Sequence, residues 1–454
     1  MSAPVSSRNV SSASGSLTDP TVPTVRLRQV VNMWAPLAMS WLVMALELPL
    51  VSAVLARLRD PEIHLGAYGG VALPIAFIIE APIMMMLAAS TALSKDTPAF
   101  KLIRRYMMII CAVLTVIHAL LAFTPLFDIV IVSLIAPPAE LIEPARLAFK
   151  LLLPFAWAIG YRRFHQGILI RFGHARQVTV GTVLRITALT LTALGLAAWG
   201  VAGVIVASVA VTMGVVVEAA YAGIVAQRVI RKHLMDVAPS GEPLSLQAFS
   251  RFYAPLVLTM LVSMLSQPIG SAALSRMPEA LASLAVLPAV SGLLFLMRSV
   301  GIAYSEVVIA LLDKPGAGRA LTRFTLILAG SLFAISLLMA FTPLSQLWFS
   351  GVSGLSPELA KLAALGVAAG VFWAPIDTMR AALQGRLTHL RNTARVGEAT
   401  IVFIVASAVI LFIGVLWQGM AGLPYAMAAF SLATLIQLLW LVWRSGTRLP
   451  TKSV

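Results

Sequence analysis

Trp34-Ala35-Pro36-Leu37, followed by Pro49 and Arg57, returns 219 residues later as Tyr253-Ala254-Pro255-Leu256, followed by Pro268 and Arg276. Three further echoes keep nearly the same offset. Ala122-Phe123-Thr124-Pro125-Leu126 pairs with Ala340-Phe341-Thr342-Pro343-Leu344, Gln166-Gly167 with Gln384-Gly385, and Ala202-Gly203 with Ala421-Gly422. The surrounding chain is 59% hydrophobic, only 11% charged, and has a mean hydropathy of +0.93, far too apolar for a water-soluble domain. A repeat of that length in such a chain predicts two similar membrane bundles with a cleft between them.

Apolar segments long enough to cross a hydrocarbon core of about 30 Å recur at 30–56, 65–92, 105–127, 146–170, 178–199, 202–227, 252–275, 281–310, 321–345, 359–386, 396–416 and 420–443. The expected fold is therefore an all-α polytopic membrane protein with twelve transmembrane helices in two six-helix bundles. An even number of spans per half makes the repeats parallel, related by an axis along the membrane normal, so one half can rock against the other. The expected organisation is a disordered cytoplasmic tail (1–25), a first bundle (26–230), a cytoplasmic linker (231–248), a second bundle (249–445) and a short tail (446–454). The first tail is rich in Ser, Thr and Pro and lacks the basic-then-apolar pattern of a cleaved signal.

A formal charge of +15 would suggest nucleic acid in a soluble protein. Here 25 of the Lys and Arg residues fall on the side of the spans that holds both termini, against six on the other. By the positive-inside rule both termini are expected in the cytoplasm, at the inner or plasma membrane, and nucleic acid is not an expected partner. A single cysteine, Cys111, excludes an intramolecular disulfide. Walker loops, dinucleotide fingerprints and zinc clusters are absent from the sequence, so an enzyme is not expected and no cofactor is implied. A scaffold would need no cleft, and an intramembrane transferase would need a compact catalytic cluster. Transport driven by an ion gradient or the substrate gradient remains, with a small molecule and the lipid bilayer as partners and a monomer as the working unit.

Charged side chains deep in a bilayer cost several kcal/mol unless paired or hydrated, so each needs a reason. Arg162 and Arg380 stand at matching depth, each four residues before a Gln-Gly pair (Gln166 and Gln384). Facing one cleft, two guanidiniums would form a forked donor set for carboxylate or phosphate. The competing expectation pairs each with a local acid, Asp377 lying three residues from Arg380 on one helix face. Glu47 lies two residues before the kinking Pro49, a place where a carboxylate can take up a proton or sodium; a salt bridge to an intramembrane arginine is the alternative. Glu80 and Arg298, on repeat-related spans, are expected to pair across the halves. His165 is a further candidate for the anion site, whereas Arg185 is expected to snorkel, Glu218 to bond between helices, and His118 to be a satisfied interior histidine.

Ser266-Gln267-Pro268-Ile269 leading to Ser275-Arg276, Met379-Arg380-Ala381-Ala382-Leu383-Gln384-Gly385, and His165-Gln166-Gly167-Ile168-Leu169 resemble the progressive ankylosis protein family, a branch of the multidrug/oligosaccharidyl-lipid/polysaccharide exporter superfamily. The resemblance extends over both halves in order. It implies a MATE-like fold of twelve helices, alternating access, and export of anions such as citrate, nucleotide or pyrophosphate, with Arg380 as the residue that has a counterpart in that branch. Two other branches supply alternatives. One is a proton- or sodium-coupled multidrug/cation antiporter using Glu47, Glu80 and Asp377; the other is a lipid-linked saccharide flippase.

Overall fold

A computed structural model describes residues 25–235, 237 and 244–446, so most of both tails and the centre of the linker lie outside the described residues. Among the described residues the chain is helical without strands. The spans are α1 (Leu27–Leu55), α2 (Pro61–Leu93), α3 (Thr97–Phe123), α4 (Ala139–Leu151 and Phe155–Arg171), α5 (Ala175–Ala198), α6 (Gly203–His233), α7 (Leu246–Leu274), α8 (Ala280–Leu311), α9 (Ala317–Phe341), α10 (Pro357–Ala369 and Trp373–His389), α11 (Thr393–Trp417) and α12 (Gly422–Ser445). We call the face at which α1 begins proximal and the other distal.

Among the described residues ten helices are long and apolar enough to cross a membrane, and the α10 pair, bent by 42°, makes eleven. Helices or helix pairs stand at all twelve positions of the hydropathy reading, and α4 is the one whose composition falls short of an ordinary span. This helix pair holds the position matching α10, yet Glu140, Glu143, Arg146 and Lys150 fill its first segment and Arg162 and Arg163 its second. Its polarity is bought back by neighbours inside the first half rather than by lipid.

The repeated motifs are repeated structures. Pro49 and Pro268 lack the amide that would close the helical ladder, and α1 and α7 break at the matching residues Leu46 and Leu265. Thr124 and Thr342 end α3 and α9 in nearly identical extended conformations, and each hydroxyl donates 2.6 Å back to the fourth preceding carbonyl. A π-helical turn follows in each half, Phe127–Val132 and Leu347–Val352. In the Gln-Gly pairs, glycine permits close crossing. A Cβ at Gly167 would sit 2.6 Å from the Leu87 carbonyl oxygen, and one at Gly385 2.7 Å from that of Ser305.

Between the halves, α8 packs on α1 and α2, with Pro288 against Gly69 and Pro49 against Gly292. The opening repeat reappears at this seam. Trp34 Nε1 donates to the Val300 carbonyl at 2.9 Å, and its mate Tyr253 donates its hydroxyl to the Pro82 carbonyl at 2.5 Å. Pro82 and Val300 are themselves related by the repeat offset, so duplication has preserved the contact between the halves as well as the halves.

Candidate functional site

The buried charged residues of the spans gather into two clusters, one in each half. In the second half, the break in α10 places Asp377 one turn into the new segment, where it is buried. Arg380 Nε donates to Asp377 Oδ1 at 2.7 Å, and Arg298 Nε from α8 donates to Asp377 Oδ2 at 3.1 Å. Arg380 Nη1 also donates to Gln384 Oε1 at 2.5 Å, and the Arg298 guanidinium lies 4.3 Å from the ring centre of Trp373. Two guanidiniums thus share one carboxylate, leaving one positive charge over. The side chains of Arg298 and Arg380 stay 22% and 16% exposed while Asp377 is covered. Both arginines keep terminal N–H groups that make no hydrogen bond among the described residues.

The first-half cluster is organised around Glu218 of α6. Arg162 Nη1 donates to Glu218 Oε2, Gln166 Nε2 to Oε1 at 3.0 Å, and Thr182 Oγ1 to Oε1 at 3.4 Å. Arg185 Nη1 pairs with Glu47 at 2.5 Å, while its Nε lies 3.3 Å from Glu218 without hydrogen-bond alignment. Two arginines therefore meet two carboxylates, and the charges balance. Glu80 is buried beside them, in electrostatic range of Arg162 and Tyr68, and among the described residues neither of its oxygens has a hydrogen-bond partner. Arg162 Nε and Gln166 Oε1 are likewise buried without partners.

Several expectations change. Arg162 is consumed by Glu218, so it does not join Arg380 as an open donor pair. Arg298 pairs with Asp377 inside its own half, and the expected bridge from Glu80 is not made. Arg185 does not snorkel, because its guanidinium is buried between Glu47 and Glu218. Glu218 does bond between helices, as expected, accepting from Arg162 and Gln166 of α4 and Thr182 of α5, and it carries an ion pair as well. The alternative reading of Glu47, a salt bridge to an intramembrane arginine, is the one found, as is the local Asp377–Arg380 pair. His118 is buried, its Nε2 2.8 Å from the Phe149 carbonyl oxygen. His165 turns away from Arg162 and Gln166, its ring centre 4.1 Å from that of Tyr161 in a tilted contact on another face of α4. Among the described residues no group of His, Cys, Asp and Glu side chains is gathered as a metal site.

A feature not foreseen is a matched pair of clasps at the distal face. Arg57 donates to Gly351 O and Val352 O of the second half at 2.8 and 2.9 Å, and to its own helix at Ala53 O. Its repeat mate Arg276 donates to Ile135 O and Ser133 O of the first half at 3.0 and 3.2 Å, and to Ala272 O. Arg57 thus holds the carbonyl end of the π-helical turn in the opposite half, and Arg276 holds the Ser133–Ile135 segment that directly follows the other turn. The signal was present in the sequence, since Arg57 and Arg276 close the opening repeat, but their neutral backbone partners carry no charge pattern to find.

No protein-family model matches the sequence, and no curated protein matches it. Solved structures do match the fold. An inward-facing multidrug resistance MATE family transporter of the MOP superfamily superposes with a TM-score of 0.73 at 15% identity, over 93% of this chain and 98% of that one. The lipid II flippase MurJ in an inward closed conformation gives 0.69 at 14% identity, over 91% and 87%. An outward-facing MATE family transporter gives 0.60 at 16% identity, over 93% and 96%. The chain is a multi-pass membrane protein with the two-bundle fold of the MOP-superfamily transporters.

Proposed function

We propose that this protein is a secondary transporter that exports an anionic small metabolite by alternating access, with Arg298, Arg380 and Gln384 as its substrate contacts. The observation that carries this reading is the shared carboxylate. Asp377 neutralises one of two guanidiniums, and the remaining charge stays partly open with unspent N–H donors, suited to a carboxylate or phosphate. Arg380 and Gln384 also lie in the stretch that resembles the progressive ankylosis branch, whose expected cargo is citrate, nucleotide or pyrophosphate. A cation antiporter is less well served, because Glu47 and Asp377 are already occupied by arginines.

Ion coupling is assigned to Glu80. It is the carboxyl of the first-half cluster without an ion pair, and a bare carboxylate there costs several kcal/mol unless a proton or sodium accompanies it. Glu47 contributes through Arg185, being able to release it when α1 bends at Leu46. The excess of basic residues supports a cytoplasmic proximal face. The distal face is the one closed by the arginine clasps, in keeping with the higher TM-score to the inward-facing than to the outward-facing neighbour.

Releasing the clasps should open the distal face. Spin labels at the repeat-related, exposed positions Glu140 and Glu358, introduced as Glu140→Cys and Glu358→Cys on a Cys111→Ser background, report the separation of the halves there. In Arg57→Gln plus Arg276→Gln, which removes four hydrogen bonds between the halves, a longer-distance population is expected to grow by roughly 30-fold, taking each bond at the low net value of about 0.5 kcal/mol. A distance distribution identical to the parent's contradicts the clasp role.

The substrate assignment is tested in proteoliposomes. Radiolabelled citrate, a nucleoside triphosphate and pyrophosphate are offered beside a cationic dye and a lipid-linked pyrophosphate, with and without a proton or sodium gradient. Saturable movement of a soluble anion, and of neither the dye nor the lipid, is the expected result; selective dye movement would overturn the anion reading.

A further inference from the structure

Outside both clusters, a cavity of about 470 Å³ opens on the flank of the first half between α3, α4 and α6. Its floor is one face of α4, where Trp157, Tyr161 and His165 follow at four-residue spacing. Eight residues of helix separate Trp157 from His165, about 12 Å along the axis. Trp157 lies just beyond the break in α4, near mid-span, and His165 lies toward the proximal face. One wall is the edge of α3, with Phe100, Arg104 and Met108; the other is the end of α6, with Gln227 and Arg231.

Polarity is sorted along this groove. Trp157 and Met108 at the deep end are 40% and 47% exposed, and Met108 begins the outward apolar stripe of α3 that continues through Val113, Val116 and Leu120. Such a stripe on a membrane-crossing helix faces acyl chains. At the proximal end Arg104 and Arg231 are exposed, and among the described residues neither forms an ion pair and no carboxylate lines the cavity. The Arg104 guanidinium lies 5.9 Å from the Phe100 ring centre, holding it over the groove.

From this we infer a lipid site: the groove between α3 and α6 holds a membrane phospholipid with an anionic headgroup, its phosphate on Arg104 and Arg231 and one acyl chain along Trp157 and Met108. Charge complementarity and depth together select the occupant. A soluble anion would use the two guanidiniums and leave the apolar end unfilled, and a neutral lipid would fill the apolar end and leave the guanidiniums without a counter-charge. Basic pockets between helices at a membrane interface recognise anionic headgroups by this combination. Because α4 also carries Arg162 and Gln166 on its opposite side, the lipid would brace the helix that presents the first-half cluster.

The test is native mass spectrometry of the delipidated full-length protein, titrated with phosphatidylglycerol or phosphatidylcholine of the same acyl chains. Phosphatidylglycerol is expected to be retained preferentially. Arg104→Gln plus Arg231→Gln should weaken it by about 30-fold, the value of two interfacial charges. Arg105→Gln plus Arg228→Gln, which removes equal charge from neighbouring positions outside the lining, should leave retention within about threefold of the parent's. Trp157→Ser, which keeps both arginines, should also weaken retention, and serves if the double variant fails to fold. Equal retention of the two lipids, or equal losses in the two arginine pairs, overturns the site. Displacement of the lipid by water-soluble glycerophosphate at matched concentration would show a headgroup-only anion site and overturn the lipid assignment.

Discussion

Glu218→Gln is expected to destabilise the first half by about 3–5 kcal/mol, the cost of leaving buried charge without its partner. The carboxylate it removes is the acceptor for Arg162, Gln166 and Thr182 and the nearest second acid to Arg185, and its side chain is 1% exposed. After the substitution Arg162 has no carboxylate bonded to it among the described residues, and only Glu47 remains to balance Arg185. The amide can keep one hydrogen bond but not the charge. Glu47→Gln should cost less, because Glu47 is 21% exposed and Arg185 would retain Glu218 nearby. Thermal unfolding of the two variants in detergent, followed by loss of the monodisperse species, checks this order. A Glu218→Gln midpoint indistinguishable from the parent's would mean that the cluster does not hold the half together.

The internal repeat makes the fold legible in the sequence. Two bundles, the kinks at Pro49 and Pro268, and the matched helix ends at Thr124 and Thr342 all follow from residues that recur at one spacing. Each of these features is local, set by a missing amide or a hydroxyl cap, and local chemistry survives in sequence. The ion pairs were less legible because they join helices far apart in the chain. Arg162 finds Glu218 across 56 residues and Arg298 finds Asp377 across 79. The repeat suggested that Arg162 and Arg380 share one role, yet the acid that serves them moved. In the second half it lies on the arginine's own helix, as Asp377; in the first, the matching position is Ile159, and the acid comes from α6. A three-residue spacing can be read, whereas a partner on another helix cannot. The same reason hid Arg185, which the sequence places near a span end but the packing turns inward toward Glu47.

Arg380→Ala is the second large expected effect. It removes one of the two charges on Asp377 and the donor to Gln384, leaving Arg298 and Asp377 as a neutral pair. The surplus positive charge, on which the proposed anion recognition depends, disappears with it. A hydrogen-bonded contact to a charged group contributes about 1.5–3 kcal/mol, so anion flux should fall by roughly 10- to 150-fold. Asp377→Asn has the opposite electrostatic sign. It frees the second guanidinium, and anion affinity should rise even where turnover falls because the anion leaves slowly. A salt bridge with a purely structural role would lose affinity in both variants.

Anion uptake into proteoliposomes, measured as initial rate against substrate concentration for the parent, Arg380→Ala and Asp377→Asn at matched protein incorporation, tests the central claim most directly. Loss of saturable flux in Arg380→Ala together with a lower half-saturating concentration in Asp377→Asn is the predicted result. Undiminished anion flux in folded Arg380→Ala would contradict it.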